Sequence, residues 1–160
     1  VVEEAKTDDP VILVQDYHFA LLPKMVREKL PNATIIMFWH IPWPNPEMFR
    51  ACPWSQELVE GLLGNDLLGF HIQNHCQNFF ETVDRSLEAM LDRESWQITR
   101  GGHVTRVRPF PISIDFEAAT ALSTSAARRA GRSPAASSRS AAFREVSRIL
   151  APASPRASAI

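Results

Sequence analysis

Cysteine is scarce. The 160 residues hold two, Cys52 and Cys76, at no metal-ligand spacing. This excludes a disulfide-stapled scaffold and leaves free thiols in a reducing compartment as the expectation. No apolar run reaches the ~20 residues that a membrane helix needs, so no membrane partner is expected. Signal-peptide character is also missing. Val1-Val2-Glu3-Glu4 is acidic and leads into no apolar core, so a cytoplasmic location is expected. The first residue is not Met, and the chain is expected to be the interior of a longer protein. There is no glycine-rich phosphate loop, and no serine stands in a nucleophile elbow. Net charge is only −1, but it is unevenly spread. From Glu117 onward there are seven Arg, no Lys and two acids, Glu117 and Glu145. That shift marks a boundary.

What is present is organised around Thr34-Ile-Ile-Met-Phe-Trp39 and the loop directly after it, His40-Ile-Pro-Trp-Pro-Asn-Pro46. The apolar run has the length and β-branched character of a strand buried on both faces. Pro42, Pro44 and Pro46 lack the N–H that a central strand needs, so the strand stops near Trp39 and His40 sits at its C-terminal end. Upstream, Val11–Val14 reads as a buried strand. Phe19, Leu22, Met25, Val26 and Leu30 then recur at helical spacing, with Pro23 in the first turn. Strand, helix and strand make a βαβ unit and a parallel sheet.

Downstream, Asn45 caps a short helix with Pro46 at its first position. Ser55 is expected to cap another, with Trp54 and Val59 at staple spacing. Asp66–Phe70 reads as a third strand ending at His71. Ile72, Cys76, Phe79, Phe80, Val83, Leu87, Met90 and Leu91 predict a long amphipathic helix. Gly101-Gly102 is a turn, His103–Arg108 alternates like a half-wet strand, and Asp115 is placed to cap the next segment. Residues 118–160 are rich in alanine, serine and arginine, a disordered or out-of-frame tail in which Phe143, Val146, Ile149 and Leu150 suit one short helix. Its arginines are scattered without aromatic partners, so no nucleic acid partner is expected.

Asp16, His40 and His71 each come directly after an apolar strand. In a parallel sheet all three fall on the edge where open α/β sheets bind ligands. An acid and two imidazoles there suit sugar hydroxyls or proton handling. Capping of loops explains Asp16 and His40 equally well from spacing alone. His71 and His75 have metal-ligand spacing on a helix, yet no third ligand is placed to complete a site. Trp39, Trp43 and Trp54 surround the proline loop, as core or as an aromatic wall beside a sugar site.

Val14-Gln-Asp-Tyr-His18, His40-Ile-Pro-Trp-Pro44 with Pro46-Glu47, Asp66-Leu-Leu-Gly-Phe70 and Pro109-Phe-Pro-Ile-Ser-Ile-Asp115 occur in an order and spacing that resembles the trehalose-6-phosphate synthase family. These are retaining glycosyltransferases of the two-Rossmann-domain (GT-B) type. The resemblance runs from about Val11 to Phe116. It implies transfer of glucose from UDP-glucose to glucose 6-phosphate with no tightly bound cofactor. Asp16 is implied to contact the acceptor sugar, His40 to lie beside the transferred glucose as the catalytic histidine, and Ile41 to shape the acceptor pocket. Glucose 6-phosphate is the implied partner, UDP-glucose only together with a donor domain that has no counterpart here, and the intact parent is a candidate homo-oligomer. The family's arginine, Tyr and Trp for the acceptor phosphate also have no counterpart. The fold expected is α/β: an incomplete, parallel, three-layer, Rossmann-like half of a GT-B glycosyltransferase over residues 1–117, with an irregular tail over 118–160. The alternatives are a non-catalytic remnant, or a related enzyme whose acceptor is a compound such as glycerol 3-phosphate.

Overall fold

Strands β1 (Val11–Gln15), β2 (Thr34–Phe38) and β3 (Leu67–Phe70) lie side by side and parallel. They belong to a computed structural model that describes residues 1–112. A short antiparallel hairpin, β4 (Met90–Asp92) and β5 (Gln97–Arg100), leads into β6 (His103–Pro109). β6 pairs parallel with β3 and antiparallel with β5, giving one sheet of order β1-β2-β3-β6-β5-β4. Asp115 as a cap, the end of the domain expected at residue 117, and the tail over 118–160 lie outside the described residues.

The parallel connections carry α1 (Leu22–Lys29), then α2 (Pro46–Phe49) and α3 (Ser55–Leu62), then α4 (Gln73–Ser86). Each crossover steps the sheet in the same direction, so right-handed connections put all these helices on one face. The core lies beneath them: Val14, Met37, Leu68 and Val107 from the strands cluster with Val26, Leu62, Phe79 and Val83 from the helices. The expected three layers are therefore two among the described residues. β1 departs from expectation for the same reason. Val14 faces the helices and is buried, but Val11 and Leu13 point to the other face and are 60% and 62% exposed.

Helix boundaries reflect local chemistry. Asn45 Oδ1 accepts from the Met48 amide at 2.9 Å, capping α2 behind Pro46. Ser55 is not a cap. α3 begins at Ser55 itself behind Trp54, which offers no side-chain oxygen and is 66% exposed, so it makes no staple. On α1, Val26 is buried while Met25 and Phe19 are exposed, so the expected apolar stripe is narrower. α4 ends at Ser86, and Met90 and Leu91 belong to β4. The helical period runs on into them only because Leu91 faces the same core from a strand. Asp92 closes the β4–β5 turn by accepting from the amides of Glu94 and Ser95 at 2.9 and 3.1 Å. Gly101 and Gly102, at φ of 58° and 82°, close the next turn where an L side chain is strained.

At the N-terminal ends of the strands Arg27 gathers three connections. Its guanidinium donates to Ala33 O at 2.6 Å, to Pro31 O at 2.8 Å and to Asp66 Oδ2 at 2.6 Å. Asp66 Oδ2 also accepts from the Ile35 amide at 2.6 Å. Arg27 thus ties α1 to the turns before β2 and β3.

Candidate functional site

The opposite edge, at the C-terminal ends of β1, β2 and β3, carries Asp16, His40 and His71. β1 and β2 are in register with Gln15 beside Phe38, so the next residues of both strands leave the sheet together. The Asp16 amide donates to Phe38 O at 2.9 Å. Its carboxylate Oδ1 accepts from the His40 amide at 3.0 Å. Asp16 thus holds the backbone turn on which His40 stands. It does so at φ 65° and ψ 175°, a conformation that non-glycine residues rarely adopt.

Partial burial pushes the Asp16 carboxyl up. The hydrogen bonds from the His40 and Tyr17 amides, with the nearby His40 and His18 rings, more than offset it and leave the pKa below the usual carboxylate range. At neutral pH the group is an anion, and it has acceptor capacity beyond the His40 and Tyr17 amides. His40 is exposed, with Nε2 2.9 Å from Gln15 Oε1. Its ring stands edge-on to Phe38 at 4.6 Å. His71 stands edge-on to the same ring at 4.8 Å, and the two imidazole centroids are 5.7 Å apart. Ile41, next in the loop, is 42% exposed at the mouth of this edge.

The proline loop is fixed from below. Trp43 is buried, its ring stacked on Phe49 at 4.5 Å and edged by Phe79 at 4.9 Å. Trp43 Nε1 donates to Thr82 Oγ1 at 3.0 Å, and Asn78 of α4 donates to Trp43 O at 3.1 Å. Of the three tryptophans read as core or wall, Trp39 and Trp43 are core and Trp54 is exposed. His75 is on α4, and no cluster of His, Cys, Asp or Glu suited to a metal occurs among the described residues. Cys76 is buried, and burial pushes its thiol up to about 12, so it is not a nucleophile. None of the described helices is long and apolar enough to cross a membrane.

Gln15 and Phe38 are the site residues that sequence reading missed. Both are register partners on the helix-free face, and only the pairing of β1 with β2 reveals that they meet at His40. The period-2 alternation was a usable signal, but it needed the register.

The model of glycosyltransferase family 20 matches residues 1–130. Trehalose-6-phosphate synthase from Mycolicibacterium smegmatis is 41% identical over 118 residues, 69% of this chain and 24% of the relative. That of Mycobacterium avium is 42% identical over 125 residues, 74% of this chain and 25% of the relative. Among solved structures, an α,α-trehalose-phosphate synthase (UDP-forming) from Burkholderia xenovorans in complex with glucose-6-phosphate is 28% identical at a TM-score of 0.66, over 78% of this chain and 28% of that one. The N-terminal domain of Candida albicans trehalose-6-phosphate phosphatase is 33% identical at a TM-score of 0.63, over 69% of this chain and 24% of that one. The chain spans about a quarter of the length of the curated relatives it matches.

Proposed function

We propose that this chain, which belongs to glycosyltransferase family 20, supplies the acceptor-side part of a retaining trehalose-phosphate synthase that moves glucose from UDP-glucose to glucose 6-phosphate. The observation that carries the reading is the Asp16–His40 arrangement: an ionised carboxylate whose Oδ1 is bonded to the backbone of the histidine on the neighbouring strand. The carboxylate accepts hydrogen bonds from acceptor hydroxyls. His40, steadied by Gln15, hydrogen-bonds the glucose in transit. Ile41 limits the shape of the acceptor at the mouth.

Among the described residues no side chain is placed as a nucleophile at this edge. Retention then comes from holding donor and acceptor on one face, and the rate from orientation and stabilisation of charge on an oxocarbenium-like sugar. The match to a relative bound to glucose-6-phosphate supports the acceptor.

The test is an amide NMR titration of the 160-residue chain with glucose 6-phosphate. Saturable shifts at Asp16, His40 and Ile41 are expected, and Asp16→Asn weakens binding about tenfold or more, the loss of a charge-assisted hydrogen bond. Equal response to glycerol 3-phosphate overturns the acceptor assignment. Chain expressed alone is expected to release no UDP from UDP-glucose, because transfer also needs donor-binding residues from the rest of the enzyme. UDP release that depends on glucose 6-phosphate overturns that.

A further inference from the structure

We propose that Gln15 is the positioning residue for His40: its amide oxygen accepts from Nε2–H, fixes that tautomer, and leaves the Nδ1 lone pair to accept a hydrogen bond from a hydroxyl of the transferred sugar. The sugar contact rests on the role proposed above for His40. The tautomer stands on the geometry of the free chain. Gln15 is the last residue of β1 and pairs in register with Phe38, the strand position two before His40. Its Oε1 lies 2.9 Å from His40 Nε2. An amide oxygen only accepts, so the ring nitrogen that faces it carries the hydrogen. In the neutral ring the other nitrogen, Nδ1, then holds a lone pair.

The rest of His40 is held as well. Its amide donates to Asp16 Oδ1 at 3.0 Å, and its ring stands edge-on to Phe38 at 4.6 Å. Phe38 is itself confined. A Cβ on Gly69 would lie 2.8 Å from the Phe110 ring and 3.0 Å from the Phe38 ring, so the missing side chain is what lets both rings close over β3. The His71 imidazole, 5.7 Å from that of His40 between centroids, is too far to compete for either nitrogen. Nδ1 is left as the ring atom of His40 without a protein partner among the described residues, on an exposed side chain. A lone pair there suits the chemistry. A hydroxyl that donates to Nδ1 gains electron density on its oxygen, which stabilises a sugar that develops positive charge. An N–H aimed at the same oxygen would withdraw density from it.

The test reads the imidazole nitrogens of the 15N-labelled 160-residue chain by long-range proton–nitrogen NMR at about pH 8.5, roughly two units above the ordinary histidine range. A nitrogen that bears a hydrogen and one that bears a lone pair resonate far apart. His40 is expected to show a single tautomer with the hydrogen on Nε2. His18, exposed and without a hydrogen-bond partner among the described residues, is the internal reference that averages between tautomers. Gln15→Leu is expected to move His40 toward that average, and Gln15→Glu, an acceptor at the same place, to restore Nε2–H. Gln15 is exposed, and the remaining amide signals report an intact fold in both variants. Methyl α-glucoside, a neutral α-linked glucose, is then expected to shift Nδ1 and not Nε2. Its affinity is expected to fall about fivefold in Gln15→Leu, the worth of one hydrogen bond, and to be kept in Gln15→Glu. The hydrogen on Nδ1, an averaged His40 in the parent chain, or a tautomer unmoved by Gln15→Leu overturns the positioning role. A glucoside shift at Nε2, or none at Nδ1, overturns the sugar contact. Either result leaves the acceptor reading standing, because that reading fails only if glucose 6-phosphate moves none of Asp16, His40 and Ile41.

Discussion

Asp16 combines a strained backbone with a carboxylate held below its ordinary range. The two are connected, because the positive φ lets the side chain turn back toward the His40 amide, which bonds it at 3.0 Å. A depressed folded pKa means that the carboxylate adds stability at pH values above its ordinary 3.8, and that this is lost as pH falls through the folded value. Asp16→Asn is therefore expected to lower the melting temperature at neutral pH and to flatten the acid side of the profile, the two proteins converging at low pH. An unchanged acid limb would show that the carboxylate is not coupled to folding. Asp16 and His40 were legible as candidates because each terminates an apolar run. The positive φ was not, since nothing in Gln15-Asp16-Tyr17 announces it; it arises where the chain leaves β1 in register with β2.

Among the elements, the α1–α3 pair is set by glycine. A Cβ on Gly64 would lie 2.4 Å from Lys24 N and 2.6 Å from Pro23 C, both backbone atoms that cannot swing aside. Gly64→Ala is expected to cost about 1–3 kcal/mol through displaced packing, read as a lower urea midpoint. The packing of Gly64 against α1 is visible only in the fold. The proline loop depends on Trp43 in a comparable way. Trp43→Phe keeps most of the ring volume and removes the hydrogen bond to Thr82. The expected loss is about 1 kcal/mol, with broadened His40 and Ile41 amide signals from a looser loop. Sequence periodicity found β2, β3 and the core of α4. It overran the end of α4 because Leu91 in β4 faces the same core as the helix, so burial continued while the backbone changed.

Over the whole described unit, the sheet presents its helical layer on one side and an open face on the other. Val11 and Leu13 lie on that open face, on a strand whose outer edge is unpaired among the described residues. Such an edge recruits other strands. Leu13→Lys is expected to lower concentration-dependent light scattering of the chain and leave its melting temperature within a few degrees; unchanged scattering would place the association elsewhere. The sequence showed Val11–Val14 as apolar but not that half of it faces outward, because a short apolar run looks the same whether one face or both are covered. The order of strands β1, β2, β3 and β6 along the sheet matches their order along the chain. Each of β2, β3 and β6 therefore finds its parallel partner already made when it emerges from the ribosome. Only the β4–β5 hairpin is synthesised before the strand it docks on. Growth of the sheet can keep pace with translation, one parallel strand added to a standing edge at a time, with the β4–β5 hairpin waiting for β6.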